Sequence, residues 1–179
     1  SGITTMMTDA GMDTGDILMM DSFPIGENMT MGELHDALSE LGPITLRKTL
    51  DALQNGCLQR TPQNGEEATY SPMVNRDTGK IDWSRSTQEI HNLVRGTNPF
   101  PVSYSFDETG ARIKIWRTLL TGIERPSDFT PGEVIQVSKD GILVATGDGV
   151  IRITELQGPS AKKMTAGEYI NGHKIAKFT

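Results

Sequence analysis

The sequence predicts an α/β segment followed by a C-terminal OB-like β-barrel, and three observations carry that reading. Two short apolar runs, Ile3 to Met7 and Ile17 to Met20, have strand length and flank a glycine-rich turn. Leu34, Ala37, Leu38 and Leu41, then Leu46, Leu50 and Leu53, recur at helical spacing. Beyond Asn98-Pro99-Phe100-Pro101 the periodicity switches to strand alternation punctuated by Asp140-Gly141 and Asp148-Gly149, both strong hairpin turns. The expected division is 1–56, the α/β segment; 57–101, a linker with one helix; and 102–179, the barrel.

Each element has its own local signal. A second strand runs from Ile17 toward Pro24-Ile25-Gly26. Thr30 and Glu33 form a capping box that opens the long helix, and Asn55-Gly56 closes it. Gly42-Pro43 lies inside that pattern and predicts a kink or two abutting helices. Residues 57–83 lack a period and read as an extended linker, pinned by the amphipathic aromatics Tyr70 and Trp83. Ser86 and Glu89 cap a helix with Ile90, Leu93 and Val94 on one face, which Gly96 ends. His91 on that helix reads as a surface or packing residue rather than a ligand. After a hinge at 98–101, five strands follow at 102–106, 111–119, 133–137, 142–146 and 150–154. Five short strands with tight turns suggest a small closed or partly open barrel, and Thr165 with Glu168 caps a last short helix.

Bulk numbers narrow the function classes. The 179 residues carry a net charge of −6, which argues against bulk attraction to nucleic acid. The charge is uneven: residues 1–100 hold 7 Lys/Arg against 14 Asp/Glu, and residues 101–179 hold 10 against 9, so the two parts need not share a partner. The single cysteine, Cys57, cannot form an internal disulfide and fits a reducing, cytoplasmic setting. No apolar run approaches the roughly 20 residues a membrane helix needs, which predicts no membrane partner. Seven of nine methionines fall in residues 1–31, as soft packing on buried strands. The chain opens directly in a strand pattern without an initiator methionine and is read as a fragment.

The candidate chemistry lies in Asp9-Ala10-Gly11-Met12-Asp13-Thr14-Gly15-Asp16, which places three carboxylates and two glycines between strand-length runs. A carboxylate at such a turn can take or deliver a proton, or hold an imidazole in one tautomer. The same pattern also suits an Asx-turn, in which Asp bonds its own backbone.

The longer strings carry a resemblance. Ile3-Thr4-Thr5-Met6-Met7 followed by Gly11-Met12-Asp13-Thr14-Gly15-Asp16-Ile17-Leu18 resembles the closing part of the folate-dependent formyltransferase domain. Ala68-Thr69-Tyr70-Ser71-Pro72, Ile81-Asp82-Trp83-Ser84, Leu93-Val94-Arg95-Gly96-Thr97-Asn98-Pro99-Phe100-Pro101, Lys114-Ile115-Trp116, Gly147-Asp148-Gly149, Glu155-Leu156-Gln157 and Lys162-Lys163-Met164 follow in the same order. Together they are similar to the family of methionyl-tRNA formyltransferases. Phe100 departs from the tryptophan more usual there, and Ser160-Ala161 replaces what is often a single glycine.

The resemblance implies that residues 1–56 end a Rossmann-like formyltransferase domain. It implies formyl transfer from 10-formyltetrahydrofolate, without a metal, to the amino group of initiator methionyl-tRNA, in a protein monomeric when complete. Asp13 is implied as the catalytic carboxylate, with Gly11, Met12, Thr14 and Gly15 shaping the loop beside the folate. Lys162 and Lys163, supported by Arg152 and Lys114, are the candidates for tRNA phosphate contact, with Arg76 and Lys80 weaker ones. The family's further Asn and His, and its Ser-Leu-Leu-Pro folate string, are not among these residues. His35, His91 and His173 do not stand in matching contexts, so the 179 residues alone are expected to be inactive. Two alternatives stay open: a sugar-nucleotide N-formyltransferase, and a stand-alone RNA-binding barrel module.

Overall fold

The structure, a computed structural model, describes residues 1–179 and divides into two compact units, Ser1–Met73 and Val74–Thr179. In the first unit β1 (Gly2–Met6) and β2 (Ile17–Ser22) pair antiparallel, with Gly2 opposite Ser22 and Thr5 opposite Met19. The ten residues between them fold straight back, whereas a parallel pair would need a crossover of a dozen or more. The unit therefore holds a two-stranded hairpin, one α-helix and a short 3-10 turn at Gly65–Glu67, and the Rossmann-like layer expected for 1–56 is not seen.

The helix α1 spans Met31–Gln54 without a break and keeps Pro43 inside it, so two abutting helices are not seen. Its start is the expected capping box: the Thr30 hydroxyl accepts from the Glu33 amide, and the Glu33 carboxylate accepts from the Thr30 amide. Tertiary contacts hold the helix in register beyond the proline. The Thr45 hydroxyl donates to Asp21 at 2.8 Å, Thr49 shares a 2.8 Å hydroxyl bond with Thr5, and Lys48 pairs with Asp21 at 2.9 Å. Those partners hold the Asp21 carboxyl below the usual carboxylate range, the Lys48 bond first and the Thr45 bond next. The face turned to the hairpin buries Thr45 and Thr49, while Leu46, Leu50 and Leu53 stay about half exposed. Helical spacing alone did not distinguish a leucine stripe from the buried face.

The second unit is built on one antiparallel sheet in the order β3-β4-β7-β6-β5, with β8 on the far end of β7. The strands are β3 (Ser103–Phe106), β4 (Arg112–Glu124), β5 (Val134–Ser138), β6 (Gly141–Ala145), β7 (Gly149–Gln157) and β8 (Met164–Thr165). The alternation expected at Arg112 to Ile115 holds: Ile113 and Ile115 are fully buried, and Arg112 and Lys114 lie on the opposite face. The buried face continues with Ile142, Val144, Ile151, Ile153 and Leu156. Two helices, α2 (Thr87–Gly96) and α3 (Ala166–Ile170), cover it through Ile90, Val94, Ala166 and Tyr169. Both begin with the expected capping boxes. No helix is long and apolar enough to cross a membrane.

The expected barrel is not closed by strand pairing, because β3 and β5 stand at opposite ends of the sheet and do not bond each other. The last residues bridge the two ends instead. Phe106 and Thr179 exchange backbone bonds of 3.0 and 2.8 Å, the Val134 amide donates to the Ala176 carbonyl, and the Phe178 amide donates to the Gly132 carbonyl. Gly132 adopts φ +89°, and a Cβ there would run into the Phe178 carbonyl oxygen, so glycine is required where the tail crosses. These bonds occupy edge groups that would otherwise be open to pairing with another chain.

Trp83, from the segment before α2, is buried and stacks on Phe178 with ring centroids 5.3 Å apart. Its indole N–H donates to the Ser105 hydroxyl at 2.9 Å, and that hydroxyl donates to the Thr179 carbonyl at 2.8 Å. Trp83 thus anchors its segment as expected, whereas Tyr70 is 94% exposed and anchors nothing. Asp148 performs a similar task at the start of α2: its carboxylate accepts from the Thr87 amide at 2.7 Å and from the Thr87 hydroxyl at 2.9 Å. Those bonds, the amide first, hold the Asp148 carboxyl below its ordinary range.

Two predictions follow from these contacts. Ser105→Ala leaves the Trp83 donor buried without an acceptor and is expected to cost about 1–3 kcal/mol in urea unfolding; an unchanged midpoint would mean that the indole finds another partner. Because the Asp148 carboxyl is depressed in the folded chain, its contribution is present above the unfolded value near pH 3.9 and is lost as pH falls through the folded value. Asp148→Asn should lower the melting temperature at pH 7, and the gap to wild type should shrink below about pH 4. A gap independent of pH would assign the loss to packing.

Candidate functional site

In the first unit, the turn between β1 and β2 is held from three sides. The Asp9 carboxylate accepts from the Gly11 amide at 3.0 Å and from the Thr14 hydroxyl at 2.7 Å, an Asx-turn that fixes its first half. The Met7 amide donates to the Asp16 carbonyl at 2.9 Å and closes its base. From downstream, Gln63 reaches in and donates its amide to the carbonyls of Asp13 at 2.9 Å and Gly15 at 2.7 Å. Ile17 and Thr61 exchange backbone bonds of 2.8 and 2.9 Å, which align the Gln63 segment along the hairpin. Gly15 is the buried point of the turn, and a Cβ there would collide with the Met7 carbonyl oxygen.

This arrangement sorts the three carboxylates. Asp9 is consumed by the turn, and Asp16 contributes a carbonyl to its base. Asp13 sits at the apex with φ +57°, a left-handed conformation that Asp adopts more readily than most residues. Its carboxylate is exposed and accepts no hydrogen bond from the chain. Met12 beside it is 88% exposed. The Asx-turn that the sequence pattern suits is made by Asp9, and five residues of separation let the same carboxylate reach Thr14. Gln63 was missed altogether: nothing in a polar, aperiodic stretch marks one glutamine as facing a loop some 50 positions earlier.

In the second unit, the expected cations divide. Lys114 lies on the outer face of β4, opposite Gln157 of β7. Trp116 is two residues along the same face, and the Lys163 ammonium stands 5.5 Å from its ring centre. Lys163 also pairs with Glu155 at 2.9 Å, and Arg117 approaches the same carboxylate at 3.9 Å, so Lys163 is partly neutralised. Lys162 is exposed, and no ion pair engages it. Arg152 faces Leu119 and Leu143 farther along the sheet, five positions from Lys114 by the β4 register, or roughly 16 Å at strand rise. The structure thus groups Lys114 with Lys163 and leaves Arg152 apart.

Beside Lys114 opens a cleft of about 410 Å³, lined by Arg76, Pro99, Phe100, Pro101, Val102, Arg112, Lys114 and Trp116. The expected hinge at 98–101 forms its rim and is tied down: Asn98 donates to the Trp116 carbonyl at 2.8 Å, and the Val102 amide donates to the Thr97 carbonyl at 2.9 Å. Sequence reasoning took Lys114 as a supporting phosphate contact and Arg112 only as part of an alternating strand, and did not bring the two to one cleft. The exposed-face series Arg112, Lys114, Trp116 was the available signal for the cleft.

The remaining titratable candidates are structural. His91 is buried with its Nδ1 3.0 Å from the Thr118 hydroxyl, a satisfied core histidine as expected. Cys57 is exposed, and its thiol lies 3.5 Å from the Ala52 carbonyl. No group of three or more His, Cys, Asp or Glu side chains is arranged to hold a metal ion.

Comparisons with known proteins bear on the family of the chain. Residues 73–174 match the formyl transferase C-terminal domain. The chain is 49% identical over 177 residues to the methionyl-tRNA formyltransferase of Acetivibrio thermocellus and 44% identical over 175 residues to that of Clostridioides difficile. Those alignments cover 99% and 98% of this chain but 56% of each relative, so the chain spans little more than half their length. Among solved structures, HypX from Aquifex aeolicus, in complex with tetrahydrofolic acid, aligns with a TM-score of 0.67 at 19% identity, over 99% of this chain and 33% of its own. The N-formyltransferase of Helicobacter canadensis aligns at 0.64 and 23%, over 85% of this chain and 55% of its own. With residues 73–174, more than half of its length, matched to that domain, the chain belongs to the formyl transferase C-terminal domain family.

Proposed function

We propose that the chain serves a methionyl-tRNA formyltransferase, in which the formyl group of 10-formyltetrahydrofolate passes to the amino group of initiator methionyl-tRNA, in the cytoplasm and in a protein monomeric when complete. The observation that carries this reading is the Asp13 turn: an exposed carboxylate without a hydrogen-bond partner at the apex of a loop that Asp9 and Gln63 hold in place. The relatives' activity as methionyl-tRNA formyltransferases and their 44–49% identity support the substrate pair over a sugar nucleotide.

The donor supplies a formyl carbon bound to a nitrogen leaving group. As the methionyl amine forms its bond to that carbon, the amine must lose a proton and the leaving nitrogen must gain one. Asp13 accepts the proton, directly or through one water or imidazole, and its unengaged oxygens leave it available for that exchange. Gln63 and Asp9 hold the turn so that the carboxylate does not need to be reorganised during transfer. Gly11, Met12 and Thr14 form the loop surface beside the folate, and the buried Gly15 shapes the loop beneath them. The exposed Met12 thioether next to a carboxylate fits a flat heteroaromatic ring with an N–H edge. Lys114, Lys162 and Lys163 are assigned to tRNA phosphates, with Arg152 as a more distant contact.

Asp13→Asn in the full-length protein is expected to lower turnover by about 10²–10⁴-fold with little change in melting temperature. Asp16→Asn should lower it far less, since that residue acts through its backbone. Equal rates for wild type and Asp13→Asn would remove Asp13 from the reaction. Lys162→Ala should lower the slope of log tRNA affinity against log salt by about 0.7–0.9, and an unchanged slope would make Lys162 ordinary solvated surface.

A further inference from the structure

We infer that the cleft between the 98–101 rim and the outer face of β4 is a pocket for one unpaired RNA nucleotide, with its base stacked on Phe100 beside Trp116 and its phosphates met by Arg76, Arg112 and Lys114. The inference deepens the tRNA reading above and concerns residues that reading does not use, apart from Lys114.

The lining has the chemistry of a single-strand site. Three of its eight residues are cations, two are aromatic, and none is a carboxylate. In a chain of net charge −6 such a lining is not what average surface would supply. Cationic grooves with aromatic platforms bind unpaired nucleotides because every base has a π-face and every linkage a charge. The volume of about 410 Å³ lies within the range of small-ligand sites. A paired duplex could not place a base on these rings without unstacking it.

The pocket is also preformed. The Arg112 guanidinium lies 3.6 Å from the centre of the Tyr104 ring, which holds its charge at the cleft without a neutralising carboxylate. Trp116 is fixed through its indole N–H to Gln157 at 3.1 Å, and Gln157 in turn donates to the Ala161 carbonyl at 2.8 Å. Phe100 is 61% exposed between two prolines, so its ring is presented to solvent on a stiff backbone. Val102 at the cleft is a buried, β-branched residue at φ +67°, a conformation such residues rarely adopt. Backbone strain of this kind persists where the surrounding structure demands it, and it clusters at ligand sites.

The test uses the 179-residue chain and the full-length protein with two probes, a labelled single-stranded oligoadenylate octamer and a blunt RNA duplex of equal length. Trp83 is buried, so quenching of tryptophan fluorescence reports Trp116. The single strand should quench it and bind more tightly than the duplex. Phe100→Ala should weaken single-strand binding about 5- to 150-fold and leave the salt slope unchanged, and Phe100→Trp should restore it. Arg112→Gln should reduce the slope by about 0.7, as expected for one phosphate on a single strand. The proposal is overturned by equal binding of duplex and single strand, by Phe100→Ala binding like wild type, or by an acidic peptide that competes and shows the same dependence on Phe100. Formyl transfer is scored separately. Phe100-dependent RNA binding in a protein that formylates no tRNA would refute the proposed function and leave the pocket standing. Formylation that is normal in Phe100→Ala, with RNA affinity unchanged, would do the reverse.

Discussion

A buried indole N–H that must find an acceptor organises the second unit. Trp83 enters the core from the segment before α2, and its only partner is the Ser105 hydroxyl of β3. That hydroxyl passes its own proton to the carbonyl of the last residue, Thr179. One short chain of bonds therefore joins the entering segment, an edge strand and the C-terminal tail. The Trp83–Phe178 stack adds apolar burial at the same point. With the tail held there, its neighbours bridge the flank of β3 to the flank of β5, and the open sheet keeps no long unpaired edge at either end.

The first unit solves a harder problem with fewer apolar contacts. A two-stranded hairpin is marginal by itself, and the helix that covers this one buries threonines rather than leucines. Thr5 with Thr49, and Asp21 with Thr45 and Lys48, provide a directional seam in place of a broad apolar one. Directional contacts fix register, which explains how α1 carries Pro43 without breaking. The same economy shapes the acidic turn. Asp9 and Gln63 engage the Gly11 amide and the carbonyls of Asp13 and Gly15, and the carboxylate at the apex is the one assigned to chemistry.

The cleft beside β4 illustrates how a function can be assembled from parts with ordinary local roles. Arg112 and Lys114 are the outer half of a strand, Pro99 to Pro101 are a chain reversal, and Arg76 precedes a short turn. Only their convergence gives a carboxylate-free cationic pocket with aromatic walls. The net charge of the chain points the other way, since most of the excess of Asp and Glu lies in the first unit.

The sequence by itself determined the elements whose causes are local. All three capping boxes were legible because the pattern spans four residues and satisfies its own amides. The Asp140-Gly141 and Asp148-Gly149 turns and the buried Ile113/Ile115 face were legible because turn chemistry and the two-residue period act at short range. The ordered strings from Ile3 to Met164 identified the family. Tertiary structure decided what depends on distant partners. Pro43 is tolerated because the hairpin holds α1. Leu46, Leu50 and Leu53 stay exposed because the seam selects the threonine face. The sheet is bridged by its tail rather than closed by its strands, because β3 and β5 are never brought into register. Asp9 takes the turn, Gln63 supports Asp13, and Lys163 answers to Glu155. Each of these is a contact between residues whose meeting is set by the folded backbone, and no local period encodes it.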